Sequence, residues 1–478
     1  MFKPIVNTLS LAAMLFAAGC ATLEPPMPTA EPAIRAEWPL PPTTGAATAS
    51  AQRETTAAAP AGIAAAEIGW RDFFVDPRLQ ELIARSLDNN RDMRIAVLNV
   101  ERVRGQYRIQ RADRFPSVDI SGAMTRGDPS PFADGRYAVE LGVANFELDL
   151  YGRVRNLSDA ALQRYFAQDE ARRSVQLSLI AEVANVYLTL AADQELLKVA
   201  QQTLETHETS FELTQQRYAL GAVSALDLHQ ARTLIEAARA DAARFAGLVA
   251  QDVNALNLLV GAPVEATLLP GGFDSQVTGI AALPAGLPSE VLLRRPDVLQ
   301  SEHQLRAANA NIGAARAAFF PSITLTGSVG TASNELSGLF GGGSRTWSFI
   351  PRINLPIFEG GRLRGNLDVA RADRDIALVE YERAIQVGFR EVADALALTQ
   401  TLASERQAQR ALVDAATQAE RLSRERYRAG YDSYLVQLDA QRTLYAAQQG
   451  LISTGLAEQA NRVTLYKVLG GGWKERSE

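Results

Sequence analysis

Two similar short segments occur in the chain, one in each half of its 478 residues. The first reads FPSVDISG and starts at Phe115, and the second reads FPSITLTG and starts at Phe320. The offset, 320 minus 115, is 205 residues, and Asp92 and Asp297 stand in the same relation. Self-similarity at a fixed spacing is typical of chains built from tandem units. The sequence therefore predicts two structurally equivalent repeats.

Later matches between the halves keep an offset of 209 residues. Gly152 of YGRVRN aligns with Gly361 of GGRLRG, and Gly221 aligns with Gly430 in the related segments RYALGAVSALD and RYRAGYDSYLV. Four extra residues in the second half account for the change from 205. The predicted division is a first repeat over 76–271, a linker over 272–282, a second repeat over 283–470 and a tail over 471–478.

The N terminus has the composition of a secretory signal. Lys3 precedes an apolar run that ends at Ala18, and this run is too short to be a membrane-spanning helix. The order Ala-Ala-Gly-Cys ending at Cys20 resembles the lipobox of bacterial lipoproteins, so 1–19 is predicted to be a signal peptide and Cys20 a lipidation site. An ordinary signal with a chance cysteine is the alternative. Residues 20–75, rich in Pro, Ala and Thr, are predicted to form a lipid-anchored, extended tether.

Each repeat contains the same order of predicted elements. Short segments alternate apolar and polar residues, as at Val139, Leu141 and Val143, which predicts strands. A long run with no Gly or Pro in the first repeat, and with Gly388 alone in the second, predicts a helix about 100 Å long, and a glycine follows each run where a left-handed helix end is expected. The predicted elements are helices at the start of each repeat, β-hairpins at about 116–150 and 321–358, long helices at 154–220 and 364–429, and return helices at 224–260 and 433–468.

The four predicted strands are too few to form a closed structure alone. Each is roughly ten residues long, which is the length of a tilted strand that crosses a bilayer. Strands in hydrocarbon must close into a barrel, because unpaired backbone groups there cost several kcal/mol each. Several chains must therefore pool their strands. Three chains would supply twelve strands, but the count alone leaves two or four chains open.

Composition and motifs argue against nucleic-acid binding and catalysis. The formal net charge is -6, and the basic residues are scattered among acidic ones, so we expect no nucleic-acid partner. His207, His229 and His303 are far apart and lack the spacing of metal ligands. The sequence contains no nucleophile elbow, P-loop or dinucleotide fingerprint. We therefore predict no enzyme activity, no cofactor and no metal.

Several motifs in order resemble the TolC-like outer membrane efflux proteins, in particular their lipoprotein branch. Beyond the paired FPS segments, these motifs are LRRPDV at 293–298, PIFEGGRLRG at 356–365, RYRAGYDSYLVQLDAQRTLY at 426–445 and LYKVLGGGW at 465–473. The resemblance implies a mixed α and β membrane protein. It would be a trimer with a twelve-stranded transmembrane β-barrel, four strands per chain, continued by a long periplasmic α-helical barrel.

The resemblance also implies a periplasmic aperture at the tip of the second repeat. The matching positions are Tyr427, Asp432, Leu435 and Asp439, beside the predicted helix turn at Gly430 and its counterpart Gly221. Asp439 follows Leu435 by four residues, so both would lie on one side of a helix. In a trimer each aspartate would recur as a ring of three that favours cations.

Simpler roles for the two aspartates stay open at this point. Asp432 could cap the start of a helix, and Asp439 could be a solvated surface charge. At the offset of 209, Val223 stands opposite Asp432 and Gln230 opposite Asp439. The first tip lacks both carboxylates, and we expect the two tips to differ.

The function that the resemblance implies is a passive outer membrane exit duct of a tripartite efflux system for drugs or other small solutes. Its partners would be two further copies of the chain, a periplasmic adaptor protein, an inner membrane pump of the RND type and outer membrane lipid. The alternatives are a duct for type I protein secretion and a lipid-anchored periplasmic spacer that conducts nothing. The sequence does not identify the solute.

The predicted anchor can be tested by replacing the sulfur atom. Cys20→Ser should abolish incorporation of labelled fatty acid, because the chain has a single cysteine and serine offers no thiol for acylation. Metabolic labelling followed by precipitation of the protein measures this, with immunoblotting as the control for expression. Labelling that persists in the variant would contradict the assignment.

Overall fold

A computed structural model describes residues 23–32, 34, 38, 68–126, 136–273 and 289–476. The predicted signal peptide, Cys20 and most of the predicted linker lie outside these residues. The chain forms two compact units: unit 1 takes its described residues from Met1–Pro32, Leu98–Glu170 and Leu299–Ala384, and unit 2 from Ala33–Val97, Ala171–Val298 and Ile385–Glu478. Each unit draws on both repeats, because each long helix runs from one unit into the other.

The order helix, two strands, long helix, shorter helix occurs twice. In the first repeat the elements are α1 Pro77–Asn89, α2 Arg91–Ala112, β1 Asp119–Thr125, β2 Arg136–Leu148, α3 Arg153–Ala219 and α4 Ala225–Val260. In the second they are α5 Pro296–Ala317, β3 Ser322–Ser333, β4 Arg345–Asn354, α6 Arg362–Arg428 and α7 Tyr434–Val468. Short turns of helix occur at Trp70–Phe73, Ala266–Leu268, Ser289–Arg294 and Leu336–Gly338.

The four strands of unit 1 form one antiparallel sheet in the order β1-β2-β3-β4. Residues that pair across antiparallel strands lie on the same face of a sheet. One row across all four strands consists of Ile120, Leu141, Val329 and Trp347. These side chains are 46% to 79% exposed in the single chain. One face of the sheet is therefore apolar and uncovered.

A β-bulge in β2 keeps the apolar residues of that strand on one face. The register shifts between Val143 and Phe146, and Asn145 adopts a left-handed conformation with φ 53°. The Asn145 backbone N–H donates to the Thr326 hydroxyl at 3.1 Å. The extra residue changes the phase of alternation, so Phe146 lies on the same face as Val143 although the two are three positions apart.

The helical region at the start of the first repeat is broken at Asn90, which separates α1 from α2. The Asn90 side-chain oxygen accepts from the N–H groups of Asp92 and Met93, at 2.9 and 3.0 Å, which caps the start of α2. Its amide group donates to the Leu259 carbonyl at 2.9 Å, in the last turn of α4. One asparagine thus satisfies backbone groups at the ends of two helices, and this explains the break.

Arg295 satisfies the end of the return helix in the second repeat, as Asn90 does in the first. It is 205 residues after Asn90, and its guanidinium donates to the Val468 carbonyl at 2.8 Å, 209 residues after Leu259. The same buried side chain forms ion pairs with Asp297 at 2.8 Å and with Glu391 of α6 at 2.7 Å. The contacts that Asn90 and Arg295 make with the ends of α4 and α7, here called joints, are equivalent in position. The first is neutral and the second is charged.

Aromatic residues at 70–74 and residues near the described C-terminal end belong to the core of unit 2. Trp70, Phe73 and Phe74 are buried, and the Phe73 ring stacks on Tyr466 with centroids 3.9 Å apart. The backbone N–H of Trp70 donates to the backbone carbonyl of Lys474 at 3.1 Å. The predicted tether to residue 75 and the predicted tail from 471 thus both extend into packed structure.

Part of the predicted tether is held against unit 1. Residues 23–32 contain no helix or strand. The Leu23 carbonyl accepts from Arg316 at 3.1 Å, and the Pro25 carbonyl accepts from Asn309 at 2.8 Å. The Glu31 N–H donates to Glu382 of α6 at 3.1 Å. This segment is an extended strap with fixed contacts.

Within the described residues, α3 alone has the length and apolar composition of a helix that could cross a membrane. The apolar window of this helix is 61% buried inside the fold. It contributes Ile180, Val183, Ala184 and Tyr187 to the main core cluster of unit 2. Its apolar composition is therefore explained by packing.

The two faces of the sheet predict opposite outcomes for neighbouring substitutions in β4. Phe349 pairs with Gly327 on the apolar face, and Ile350 pairs with Thr326 on the other face. Phe349→Arg should cost about 2–4 kcal/mol if that face meets lipid, and the yield of assembled protein in the outer membrane fraction should fall. Ile350→Arg is the matched control and should assemble normally. Equal yields of the two variants would contradict the assignment of faces.

Candidate functional site

The second face of the sheet is lined mainly by polar side chains. They include Ser121, Glu140, Thr324, Thr326, Ser328, Ser348 and Arg352. The hydroxyl groups of Ser328 and Ser348 lie 2.8 Å apart. A sheet with one apolar and one polar face matches a barrel wall that separates lipid from water.

The sheet has two open edges within the described chain. In the part of the chain that the structure describes, β1 pairs only with β2, and β4 pairs only with β3. The outer backbone groups of both edge strands would cost several kcal/mol each in hydrocarbon. The wall is therefore incomplete in one chain, and strands of other copies must pair with both edges.

The first helical tip joins α3 to α4 through Gly221. This glycine has φ 72°, a left-handed conformation that closes the end of α3. The Ser224 hydroxyl accepts from the Asp227 N–H at 3.2 Å, and the Asp227 carboxylate accepts from the Ser224 N–H at 3.1 Å. This reciprocal capping box fixes the start of α4.

The second tip joins α6 to α7 through Gly430, with φ 81°. Here Arg426 donates to both oxygens of Asp432, at 2.7 and 2.9 Å. The hydrogen bond from Arg426 lowers the pKa of the Asp432 carboxyl below its ordinary value. Ser433 stands at the start of α7 and makes no side-chain cap. The Asp432 carboxylate thus bonds to Arg426 across the turn, and it does not cap the helix.

The corresponding arginine of the first tip has a different contact. Arg217 precedes Arg426 by 209 residues, but Val223 occupies the position opposite Asp432. The Arg217 guanidinium lies over the ring of Tyr427, 5.0 Å from its centroid. Loss of one carboxylate therefore changes the partner of an equivalent arginine from an anion to an aromatic ring.

A small apolar cluster holds the two tips together. The rings of Tyr427 and Tyr434 lie 5.4 Å apart, and they pack with Ala231, Leu234 and Leu438. Burial raises the pKa of Tyr434 to about 12. The cluster joins α4 to the last turn of α6 and the start of α7.

The predicted aperture residues fall into two groups. Gly221, Tyr427 and Asp432 line one cavity of about 520 Å³ between the two turns. Tyr427 is buried, so it contributes to this region through packing. Leu435 and Asp439 do not line the cavity, and both are exposed on α7.

Sequence reasoning missed Arg426, Arg217 and Tyr434 at the tips. A usable signal was present, because arginine occurs at the same position of both repeats while its acidic partner occurs in only one. In the described ranges, no group of three His, Cys, Asp or Glu side chains could hold a metal ion. The chemistry of the tips is that of ion pairs, caps and aromatic contacts.

The different partners of Arg217 and Arg426 can be tested with one substitution. Val223→Asp should draw Arg217 away from Tyr427 into an ion pair, because the two positions have the same six-residue spacing as Arg426 and Asp432. An exposed pair of this kind should add about 0–1 kcal/mol to stability. A cryo-electron microscopy structure of the variant would show the new contact, and Val223→Asn serves as the uncharged control. An unchanged Arg217 in both variants would contradict the explanation.

Comparison with known families gives a match over most of the chain. The family described as "Outer membrane efflux protein" matches residues 82–262 and 287–471. The two matched segments lie within or close to the two predicted repeats, and together they cover more than half of the sequence.

Individual proteins are similar over nearly the full length. The toluene efflux pump outer membrane protein TtgC of Pseudomonas putida is 47% identical over 479 residues, with 98% of this chain and 96% of that protein covered. The antibiotic efflux pump outer membrane protein ArpC of Pseudomonas putida is also 47% identical, with the same coverage. The open-state structure of the MtrE outer membrane channel of Neisseria gonorrhoeae is 40% identical with a TM-score of 0.85, and the match covers 96% of this chain and 100% of that one. The predicted family resemblance and fold class are confirmed.

Proposed function

The chain belongs to the outer membrane efflux protein family, and on this basis we propose how its residues carry out passive efflux. The outer membrane location and the role as the channel of a tripartite efflux system, both predicted from the sequence, are confirmed. We propose that the polar face of the sheet lines the exit path and that the apolar face contacts lipid. The observation that carries this assignment is an amphipathic sheet with two edges that further copies must complete.

The proposed aperture lies at the tip of the second repeat. Leu435 and Asp439 are exposed on α7, so three copies can present them to a common axis as a ring of apolar groups and a ring of charges. Asp432 is held by Arg426, which fixes the turn that leads into α7. Tyr427 supports the same turn from its apolar cluster. Gly221 and Gly430 provide the turns of the two helical hairpins.

The proposed partners follow from the family and from the names of relatives. The channel works as a trimer, and its partners are in general those of a tripartite efflux system. We assign it more narrowly to a periplasmic adaptor that contacts the helical tips and to an inner membrane pump of the RND type. Similar proteins are named for toluene and antibiotic efflux, which supports small organic solutes as cargo. The duct selects weakly, and the pump would choose the solute.

The strap supports the proposed lipid anchor at Cys20. Leu23 follows Cys20 by three residues, and its carbonyl is bonded to Arg316 close to the end of α5. Three residues extend at most about 11 Å. Lipid on Cys20 would therefore lie near the point where α5 ends and the chain enters β3 at Ser322, which is where an outer membrane surface is required.

Conductance of the purified trimer in planar bilayers tests the duct and its aperture. Asp432→Ala combined with Asp439→Ala should raise single-channel conductance by a factor of about two or more, because loss of the Arg426–Asp432 ion pair frees the turn into α7 and this gain outweighs the lost attraction of the Asp439 ring for cations. Val223→Ala combined with Gln230→Ala changes the equivalent positions of the first tip and should leave conductance unchanged.

The outcomes separate the competing functions. Equal conductance of the two double variants would reject the aperture assignment. A folded trimer that passes no ions in any form would favour the periplasmic spacer over the duct. Restoration of solute resistance in a channel-deficient strain would favour small-molecule efflux over protein secretion.

A further inference from the structure

The return helix of the second repeat is attached to its long helix by a neutral amide. Asn461 of α7 donates to the Ala395 carbonyl of α6 at 2.9 Å and contacts the Thr399 hydroxyl at 3.0 Å. Asn461 is 6% exposed. Amide and hydroxyl groups do not ionise near neutral pH, so this contact is insensitive to pH over that range.

The equivalent position of the first repeat carries an acid. Subtracting 209 from 461 gives 252, and Asp252 of α4 contacts Asp193 of α3 through their carboxyl groups. Asp193 is 9% exposed. The same position thus connects return helix to long helix in both repeats, through an amide in one and through two carboxyl groups in the other.

Two ionised carboxylates cannot form this contact. With both groups charged, the Asp252 Oδ2 atom is shielded from solvent and has no hydrogen-bond donor in the described chain. A carboxylate pair at hydrogen-bonding distance repels, whereas one shared proton supplies a donor and removes one charge. Burial and the neighbouring Asp193 charge raise the pKa of Asp252 to about 6, and burial also raises the pKa of Asp193.

The neighbouring hydrogen-bond donors do not take the place of a shared proton between Asp193 and Asp252. Arg244 of α4 is the cation whose charge acts on Asp193, and it donates to Asp241 at 2.9 Å. From α7, the Tyr445 hydroxyl also donates to Asp241, at 3.0 Å. Both groups are directed to Asp241, which leaves the Asp193 and Asp252 pair dependent on a proton.

We propose that Asp193 and Asp252 hold one proton between them and make the attachment of α4 to α3 dependent on pH, while the attachment of α7 to α6 through Asn461 is not. A carboxyl whose pKa is raised in the folded state stabilises that state at low pH, and this contribution is lost as pH rises through the folded value. The first helical hairpin should therefore loosen between acid and neutral pH. The inference is independent of the proposed aperture.

Hydrogen–deuterium exchange of the full-length trimer tests the proposal. After correction for intrinsic exchange rates, α4 peptides that contain residue 252 should lose protection by about tenfold between about pH 5 and about pH 7.5. Asp252→Asn installs the residue that the second repeat uses, and protection of the same peptides should then vary little with pH. Equal pH dependence in the wild type and this variant would overturn the proposal.

A reciprocal substitution in the second repeat tests the proposal even if Asp252→Asn misfolds. Asn461→Asp should introduce pH dependence into α6 and α7 peptides, because an ionised carboxylate has no proton to donate to the Ala395 carbonyl. Infrared difference spectra of the wild type between the same two pH values should show loss of a protonated carboxyl band, and Asp193→Asn should remove that band. Proton sharing would be contradicted if the wild-type spectrum lacked this band. It would also be contradicted if protection of the α6 and α7 peptides in Asn461→Asp did not change with pH.

Discussion

Backbone hydrogen bonding at the two edges of the sheet is the constraint on which the rest of the molecule depends. Among the described residues, β1 and β4 each leave one side unpaired, and hydrocarbon supplies no substitute for water. Pairing with further copies removes this cost, and it also encloses the polar face while the apolar face remains outside. The bulge at Asn145 is part of the same solution, because it keeps Phe146 on the apolar face. Oligomer, lumen and membrane contact therefore share one cause.

The ends of the shorter helices pose the same kind of problem away from the membrane. Carbonyl groups in the last turn of α4 and α7 need donors, and equivalent positions in the two repeats provide them. Asn90 does so between the shorter helices α1, α2 and α4, whereas Arg295 also bonds to Glu391 on the long helix α6. The second joint consequently includes a long helix. A buried cation of this kind is stable because each of its partners is an acceptor fixed by the fold.

The sequence predicted the repeated element order and the long helices well, because period and Gly placement are local signals. Features that rest on one polar side chain and a distant partner were missed. The break at Asn90 depends on its contact with Leu259, and the Asp432 contact depends on Arg426 across a turn. The core role of Trp70 was hidden by the Pro- and Ala-rich residues before it, since its partner Lys474 lies at the other end of the chain.

Divergence between the repeats is concentrated in charges at positions that keep the same backbone role. Position 252 connects two helices as its counterpart 461 does, and position 223 follows a tip glycine as 432 does. Backbone geometry has to be shared, because both hairpins must fit one ring of subunits. Side-chain charge is free to differ wherever a contact can be made by either an amide or a protonated acid. A ring built from three chains would then alternate two hairpin types with the same shape but different electrostatics, and a uniform change of pH or salt would act on them unequally.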